Sequence, residues 1–348
     1  MNKIEDKISD MKIDKKEDKK EDKKEEMKEE KKEEVKEEIK EEMKEEINTE
    51  IKTDIKIIIK GKEYYLIKDY KDHDHYRHSL NRLVQQTYGF NFEQWYQQGN
   101  WSEKYRPYSL LHRNEIVANV SVNPIDFLVE GERRHTVQIG TVMTAEAYRN
   151  KGLCLELMNI VLKEYEDACE LIYLFANDTV LEFYPRFGFV EAVEYTYSKY
   201  VQGCESALSY RKLDIMVEVD RLLITRLVTN TIPSSKYAML DNAGLIMFYL
   251  TDVMSGNLYY IEELDLMVAA AWEEEALIIT DLFCEQEYDL ELVINALLQG
   301  SYNKIILGFT PKETSDFTVE ILKEVDTTYF VKGNNFIDKG RFPILSHA

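Results

Sequence analysis

The chain has 348 residues, 44% of them hydrophobic, which is enough for two domains that each bury a core. Asp and Glu number 65 against 44 Lys and Arg, a net charge of −21, and this argues against nonspecific nucleic-acid binding as a main role. No apolar leader or membrane-length apolar run is present, and Cys154, Cys169, Cys204 and Cys284 form no C-x-x-C pair. The expected setting is therefore a reducing cytoplasm, with no membrane partner, zinc site or other metal.

Residues 1–55 are a low-complexity arm built on a K-E-E unit; residues 1–60 hold 18 Lys and 22 Asp or Glu. From Val35 the apolar residues fall every fourth position, at Ile39, Met43, Ile47, Ile51 and Ile55. A step of four turns an ideal helix by about 400°, so the stripe drifts by about 40° per step. The coiled-coil-like composition thus gives no straight seam. It fits a solvated helix, a disordered tail or an interaction arm.

The folded part begins near Ile55. Residues 55–68 read as extended with a turn at Gly61-Lys62, and residues 73–88 as a helix with Leu80, Leu83, Val84 and Tyr88 on one face. An aromatic stretch follows, from Tyr88, Phe90 and Phe92 through Trp95 and Trp101 to Tyr108. Strands are expected at 110–112, 116–129 with a bend near Pro124, and 137–143. Next come a helix over 150–168, a strand at 171–176, a helix over 179–187 and a strand over 189–197. Gly203 and Ser206 then interrupt the pattern, which places a boundary near 203.

The informative segment is Thr141-Val142-Met143-Thr144-Ala-Glu-Ala-Tyr148-Arg149-Asn150-Lys151-Gly152-Leu153-Cys154, which joins a buried strand to an amphipathic helix. Amides at a helix start lack intrahelical partners, and the helix dipole favours an anion there. Gly152 permits close approach of a pyrophosphate, and Arg149 and Lys151 add positive charge. After the next strand comes Asn177-Asp-Thr-Val-Leu-Glu-Phe183-Tyr184-Pro185-Arg186-Phe187-Gly188-Phe189. Gly188 suits a left-handed helix end, and Tyr184 is an acid candidate if it faces a leaving thiolate.

In order and on these elements, the two motifs resemble those of the GCN5-related N-acetyltransferase (GNAT) superfamily, over roughly residues 60–200. Tyr148 to Leu153 looks like its Q/R-x-x-G-x-G/A cofactor loop, and Asn177, Tyr184 and Phe187-Gly188-Phe189 look like its second signature. The resemblance implies an α/β (α+β) fold, a mixed, mostly antiparallel sheet flanked by helices. It implies acetyl-CoA as co-substrate, held by amides of Arg149, Asn150, Lys151, Gly152, Leu153 and Cys154. Val142, Met143 and Thr144 would line the pantetheine arm where two strands splay. Asn177 would bond the cofactor or brace the next helix, Tyr184 would protonate the CoA thiolate, and a primary amine would attack the thioester directly in a ternary complex. Cys154, Val180 and Glu146 depart from the family pattern. The general base is not visible; Glu93, Asp126 or a water chain could take the proton. His112 and His135 read as strand residues, and His73, His75 and His78 as a solvated helix start.

In the C-terminal half, short strands are expected at 237–240, 245–250, 258–261, 266–271 and 277–284. A helix over 290–298, a strand at 304–309, a helix over 317–325 and a strand at 328–331 follow. This order repeats that of 116–197, so a second, degenerate GNAT-like copy is inferred. Where the first copy has Arg149 to Gly152, the second has Cys284-Glu-Gln-Glu-Tyr-Asp289. Its three carboxylates would each oppose a pyrophosphate by about 4 kcal/mol at ~4 Å and an effective dielectric of 20. The tandem layout resembles aminoglycoside acetyltransferases of the enhanced-intracellular-survival type, without their sterol-carrier-like domain.

The division expected is thus an arm over 1–55, a GNAT domain over 56–203 and a degenerate GNAT-like domain over 204–348. The function expected is acetyl transfer to a small cationic, aminoglycoside-like or peptide amine, and a homo-oligomer is compatible with it. The rivals are a GNAT-fold acyl-CoA-binding module without catalysis and an interaction protein acting through the arm.

Overall fold

The computed structural model describes residues 55–348 except 204, 274–275, 299–300 and 348. The expected arm lies outside the described residues apart from Ile55. Among the described residues the strands form two sheets, one of nine strands and one of seven.

The first half opens with a hairpin of β1 (Ile55–Ile59) and β2 (Lys62–Ile67), turned at Lys60-Gly61, both with positive φ. Helix α1 (Asp74–Tyr88) buries Leu80, Leu83 and Val84 and stops at Gly89, whose φ is 84°, and the short α2 (Glu93–Gln97) follows. Strands β3 (Arg106–His112), β4 (Glu115–Val129) and β5 (Glu132–Thr144) form an antiparallel meander. Helix α3 (Leu153–Tyr165) then returns the chain to β6 (Leu171–Ala176), which lies parallel to β5. Two short strands complete this half, β7 (Val190–Glu191) and β8 (Tyr195–Gln202).

The second half runs through β9 (Arg211–Lys212), α4 (Glu218–Asn230), β10 (Tyr237–Leu240), α5 (Ala243–Thr251) and β11 (Leu258–Ile261). It continues with β12 (Leu266–Glu273), β13 (Ala276–Cys284), α6 (Leu290–Leu298), β14 (Tyr302–Leu307), β15 (Thr318–Ile321) and β16 (Thr328–Gly333). Strand β13 is antiparallel to β12 and parallel to β14, with α6 between. The succession β12-β13-α6-β14-β15-β16 thus repeats β4-β5-α3-β6-β7-β8.

The two halves exchange strands. The first sheet runs β1-β2-β3-β4-β5-β6-β16-β7, with β10 on the far part of β4; the second runs β15-β8-β14-β13-β12-β11-β9. Strand β8, before residue 203, pairs with β14 and β15, while β16, near the end of the chain, pairs with β6 and β7. At the crossing from β7 to β8, the buried Glu194 carboxylate accepts the Phe342 amide at 3.0 Å, and its carbonyl accepts the Leu322 amide at 2.9 Å. Burial lifts that carboxyl to about 7, against the opposing pull of Arg341 and the Phe342 amide.

Four local expectations are corrected. The strand expected over 189–197 is two strands in different sheets, because the chain changes sheet at 192–194. The helix over 179–187 is a pair of 3-10 turns, Asp178–Val180 and Tyr184–Phe187; Pro185 fits only at the start of a helical turn and divides the segment. Residues 245–250 lie in helix α5, since a short all-apolar run carries no period to separate strand from helix. Residues 318–321 form an edge strand, in which Thr318, Val319 and Ile321 are β-branched and exposed. Helix α4 had no counterpart in the sequence reading.

One core lies between the first sheet and α3, where Leu153, Leu157, Met158, Val161 and Leu162 meet Val120, Val137, Ile139 and Leu174. A second joins α6 to the other sheet through Val293, Ile294, Leu297, Leu277 and Ile305.

Candidate acyl-transfer site

The site begins as a gap between two parallel strands. Strands β5 and β6 pair only from Thr136↔Leu171 to Gln138↔Tyr173. Beyond that, β5 follows β4 to Thr144 and β6 follows β16 to Ala176. The facing edges 139–144 and 174–176 therefore part, and their backbone groups are available to a ligand. This is the splay expected from the family resemblance.

The departure of β5 has a local cause. Asn119 pairs with Met143 and Ser121 with Gly140, so two residues of β5 stand opposite Val120. The extra residue, Thr141, has φ of 42°, an unusual value for a β-branched residue. Side chains hold it there. Asn119 Nδ2 donates to the Thr141 carbonyl at 3.0 Å and to Ser121 Oγ at 2.9 Å, Ser121 Oγ donates to Tyr105 Oη at 2.9 Å, and Tyr105 Oη lies 2.8 Å from Thr141 Oγ1. Ser109 donates to Asn119 at 2.7 Å, which places a satisfied polar network inside a buried sheet.

Beyond β5, residues 146–148 form a 3-10 turn and Asn150 and Gly152 take φ of 62° and 89°. At Gly152 a Cβ would approach Ile59 and Lys60 only to 3.9 Å, so the left-handed backbone, more than crowding, calls for glycine. The glycine caps α3, whose first amides have no carbonyl before them within the helix. Tyr148 Oη bonds His112 Nδ1 at 2.7 Å and Lys60 Nζ donates to the Asn150 carbonyl at 3.3 Å, so the loop is tied to β3 and to the β1–β2 turn.

A cavity of about 930 Å³ fills the gap. Of the residues singled out from sequence, Val142, Met143, Thr144, Arg149, Asn150, Cys154, Asn177 and Tyr184 line it. The other three do not: Lys151 folds back to donate to the Ala147 carbonyl and lies over the Tyr148 ring, Gly152 shapes the loop, and Leu153 is buried in the core. Cys154 Sγ lies 2.9 Å from Thr144 Oγ1, and burial pushes its thiol up to about 11, so it stays neutral. Tyr184 is 5% exposed and packs against Phe183, Phe189 and Phe330. Burial, with Tyr88 and Cys154 nearby, pushes its phenol well above the usual range. Asn177 Oδ1 accepts from Thr179 Oγ1 at 2.6 Å and so braces the following turn, whose Asp178 amide donates to Asp326 at 2.7 Å.

The carboxylates considered as bases from sequence lie elsewhere. Glu93 is held by Arg77 at 3.1 Å and Asn81 at 2.9 Å, and Asp126 by Arg133 at 2.6 Å and His135 at 2.7 Å; neither lines the cavity. The cavity instead reaches residues not selected beforehand: Tyr105, Thr141, and from the second half Phe248, Tyr249, Asp252 and Asp326. Phe90, Phe92 and Trp95 had a signal in the aromatic run. Phe248 and Tyr249 had none, because α5 read as a strand, and Asp252 and Asp326 lay outside every motif.

The equivalent place in the second half is covered. Strands β13 and β14 pair from Ala276↔Lys304 to Ile279↔Leu307, but beyond that point the Ile232 amide donates to the Cys284 carbonyl at 2.9 Å and the Cys284 amide to Thr231 Oγ1 at 3.1 Å. A bridge joins Ser235 to Pro311.

Residues 69–192 match the family model described as the acetyltransferase (GNAT) domain. This segment is a GNAT acetyltransferase domain. Its class is that of the acyl-CoA-dependent N-acetyltransferases. Among solved structures, a probable N-acyltransferase from Enterococcus faecalis V583 matches at a TM-score of 0.52 and 14% identity, over 77% of this chain and 71% of that one. Eis1 from Mycobacterium abscessus matches at 0.48 and 13% identity, over 76% and 72%, and a GCN5-related N-acetyltransferase from Kribbella flavida at 0.47 and 16%, over 77% and 71%. At such identity the first of these shows a shared fold, and its coverage carries that fold from the GNAT domain into the second half. A search of curated protein sequences finds no match. Among the described residues no helix is long and apolar enough to cross a membrane.

Proposed function

We propose that the protein transfers the acetyl group of acetyl-CoA to a primary amine at the β5–β6 gap of its GNAT domain. The observation that carries this reading is the gap itself, an open edge of β5 leading from the start of α3 into a cavity on which Tyr184 borders. Amides of the 149–154 loop and Arg149 would take the pyrophosphate, where the dipole of α3 favours an anion. Backbone groups of Val142 and Thr144 would pair with the pantetheine amides. The amine nitrogen, its ammonium proton first lost to solvent, attacks the thioester carbonyl; a C–N bond forms, the C–S bond breaks, the Tyr184 hydroxyl protonates the departing thiolate, and the proton shed by the new amide nitrogen restores the phenol. A phenol held neutral by burial carries the proton this step needs. No cysteine nucleophile enters, in keeping with the raised Cys154 thiol. The covered gap of the second half supports assigning the cofactor to the first half alone, and the division at 203 is proposed as an evolutionary seam across which strands were exchanged.

The rival, a GNAT fold without catalysis, keeps cofactor binding but lacks turnover. A thermal melt with acetyl-CoA, paired with a thiol-release assay over a panel of amines, separates the readings. At one hundred times Kd the bound ligand should stabilise the fold by about 2.7 kcal/mol. Absence of a shift contradicts both readings, and a shift without thiol release with any amine favours the rival.

A further inference from the structure

We propose that the acceptor is an arylalkylamine-type monoamine, a single ammonium carried on an aromatic or equally apolar body; this rests on the reading of the cavity as the acyl-transfer site. The wall beyond the cofactor gap is aromatic from two directions. Phe90, Phe92, Trp95 and Tyr105 come from the segment after α1, and Phe248 and Tyr249 come from α5 of the second half. Phe248 joins the two sets, with ring centroids 5.7 Å from Phe90, 5.7 Å from Phe92 and 5.6 Å from Trp95. The wall is braced as well. Trp95 Nε1 donates to the Gly244 carbonyl at 2.7 Å, and a Cβ on Gly244 would lie 2.4 Å from the Asn100 carbonyl oxygen, so α5 is seated directly on the first half.

The charges point the same way. Among the described residues lining the cavity, the carboxylates are Asp252 and Asp326, and the cation is Arg149 at the phosphate end. Asp326 already accepts the Asp178 amide. Asp252 directly follows the last residue of α5, where the terminal carbonyls of the helix also favour a cation. The rings add cation–π attraction. One ammonium is thus provided for. A polyammonium sugar would bring several charges and a shell of hydroxyls against rings that cannot bond them, at a desolvation cost for each group. An apolar body gains from the same rings.

The test compares 2-phenylethylamine, ethylamine and kanamycin as acceptors for the full chain by thiol release, beside the acetyl-CoA melt. The account expects kcat/KM for 2-phenylethylamine to exceed that for ethylamine by about 50-fold or more, as burial of a phenyl group implies, and kanamycin to be the poorest of the three. Asp252→Asn should lower kcat/KM for 2-phenylethylamine by about 5-fold or more and leave the acetyl-CoA shift as it was. A ratio near one, a preference for kanamycin, or no turnover of 2-phenylethylamine by a protein that acetyl-CoA stabilises overturns the acceptor assignment and leaves cofactor binding standing. Absence of both the shift and thiol release overturns the assignment together with the function on which it rests.

Discussion

Tyr184 joins the two halves of the molecule at one side chain. It follows a turn that Pro185 keeps from becoming a helix, and its ring packs on Phe330 of β16, a strand from the far end of the chain. It lines the cavity and is largely buried, and the same burial keeps the phenol neutral. Replacing Tyr184 by Phe should lower kcat by about 10²-fold with the KM for acetyl-CoA little changed. Steady-state kinetics check this, and an unaltered kcat removes Tyr184 from the acid role. Two short motifs single out Tyr184, Asn177 and the Arg149–Cys154 loop, and Arg149, Asn150, Cys154, Asn177 and Tyr184 line one cavity. What was not legible is equally particular. Thr141, Tyr105, Asn119 and Ser121 act as a set, and the sequence carries no mark that their hydroxyls and amide meet across β4, β5 and the residue before β3.

At the scale of elements, the gap between β5 and β6 is a consequence of pairing. Strand β5 leaves β6 after Gln138 because a bulge at Thr141 turns it, and β6 finds its other neighbour in β16. The order of strands and helices through α3 and β6 followed from hydrophobic period and turn residues. Elements whose identity depends on their surroundings did not. The apolar run of α5 reads equally well as a buried strand, and β15 shows its edge position only once β8 lies beside it. For the proposed acceptor, helix α5 matters because Phe248 completes the aromatic wall. Gly244→Ala would place a methyl group 2.4 Å from the Asn100 carbonyl oxygen, and the resulting displacement should cost about 1–3 kcal/mol of stability. With α5 pushed from Trp95, the KM for the amine should rise several-fold while that for acetyl-CoA holds. An equal rise in both would show that α5 does not serve the acceptor alone.

At the scale of the described chain, residues from 55 onward form two halves that each complete the other's sheet. Strand β8 belongs by sequence to the first half and by pairing to the second, and β16 does the reverse. The division at 203 is a proposal about the order of elements in the sequence, and the strand pairings run across it. The repeat was legible in the order of elements; the exchange was not, because pairing between strands more than a hundred residues apart leaves no local trace. The exchange also accounts for a cavity built from both halves. The two halves nonetheless differ at equivalent places. In the first, β5 and β6 part around a cavity beside Arg149 and Gly152. In the second, the segment 231–235 bonds to β13 and to the chain after β14, and Glu285, Glu287 and Asp289 replace the basic loop.

Calorimetric titration of acetyl-CoA into the full chain, with Gly152→Asp as the companion variant, tests this most directly. The account predicts one molecule bound per chain, and none to the Asp variant when circular dichroism shows that its fold is kept. Two molecules bound per chain, or near-native affinity in the folded Gly152→Asp variant, would contradict the placement of the cofactor at the Arg149–Cys154 loop of the first half.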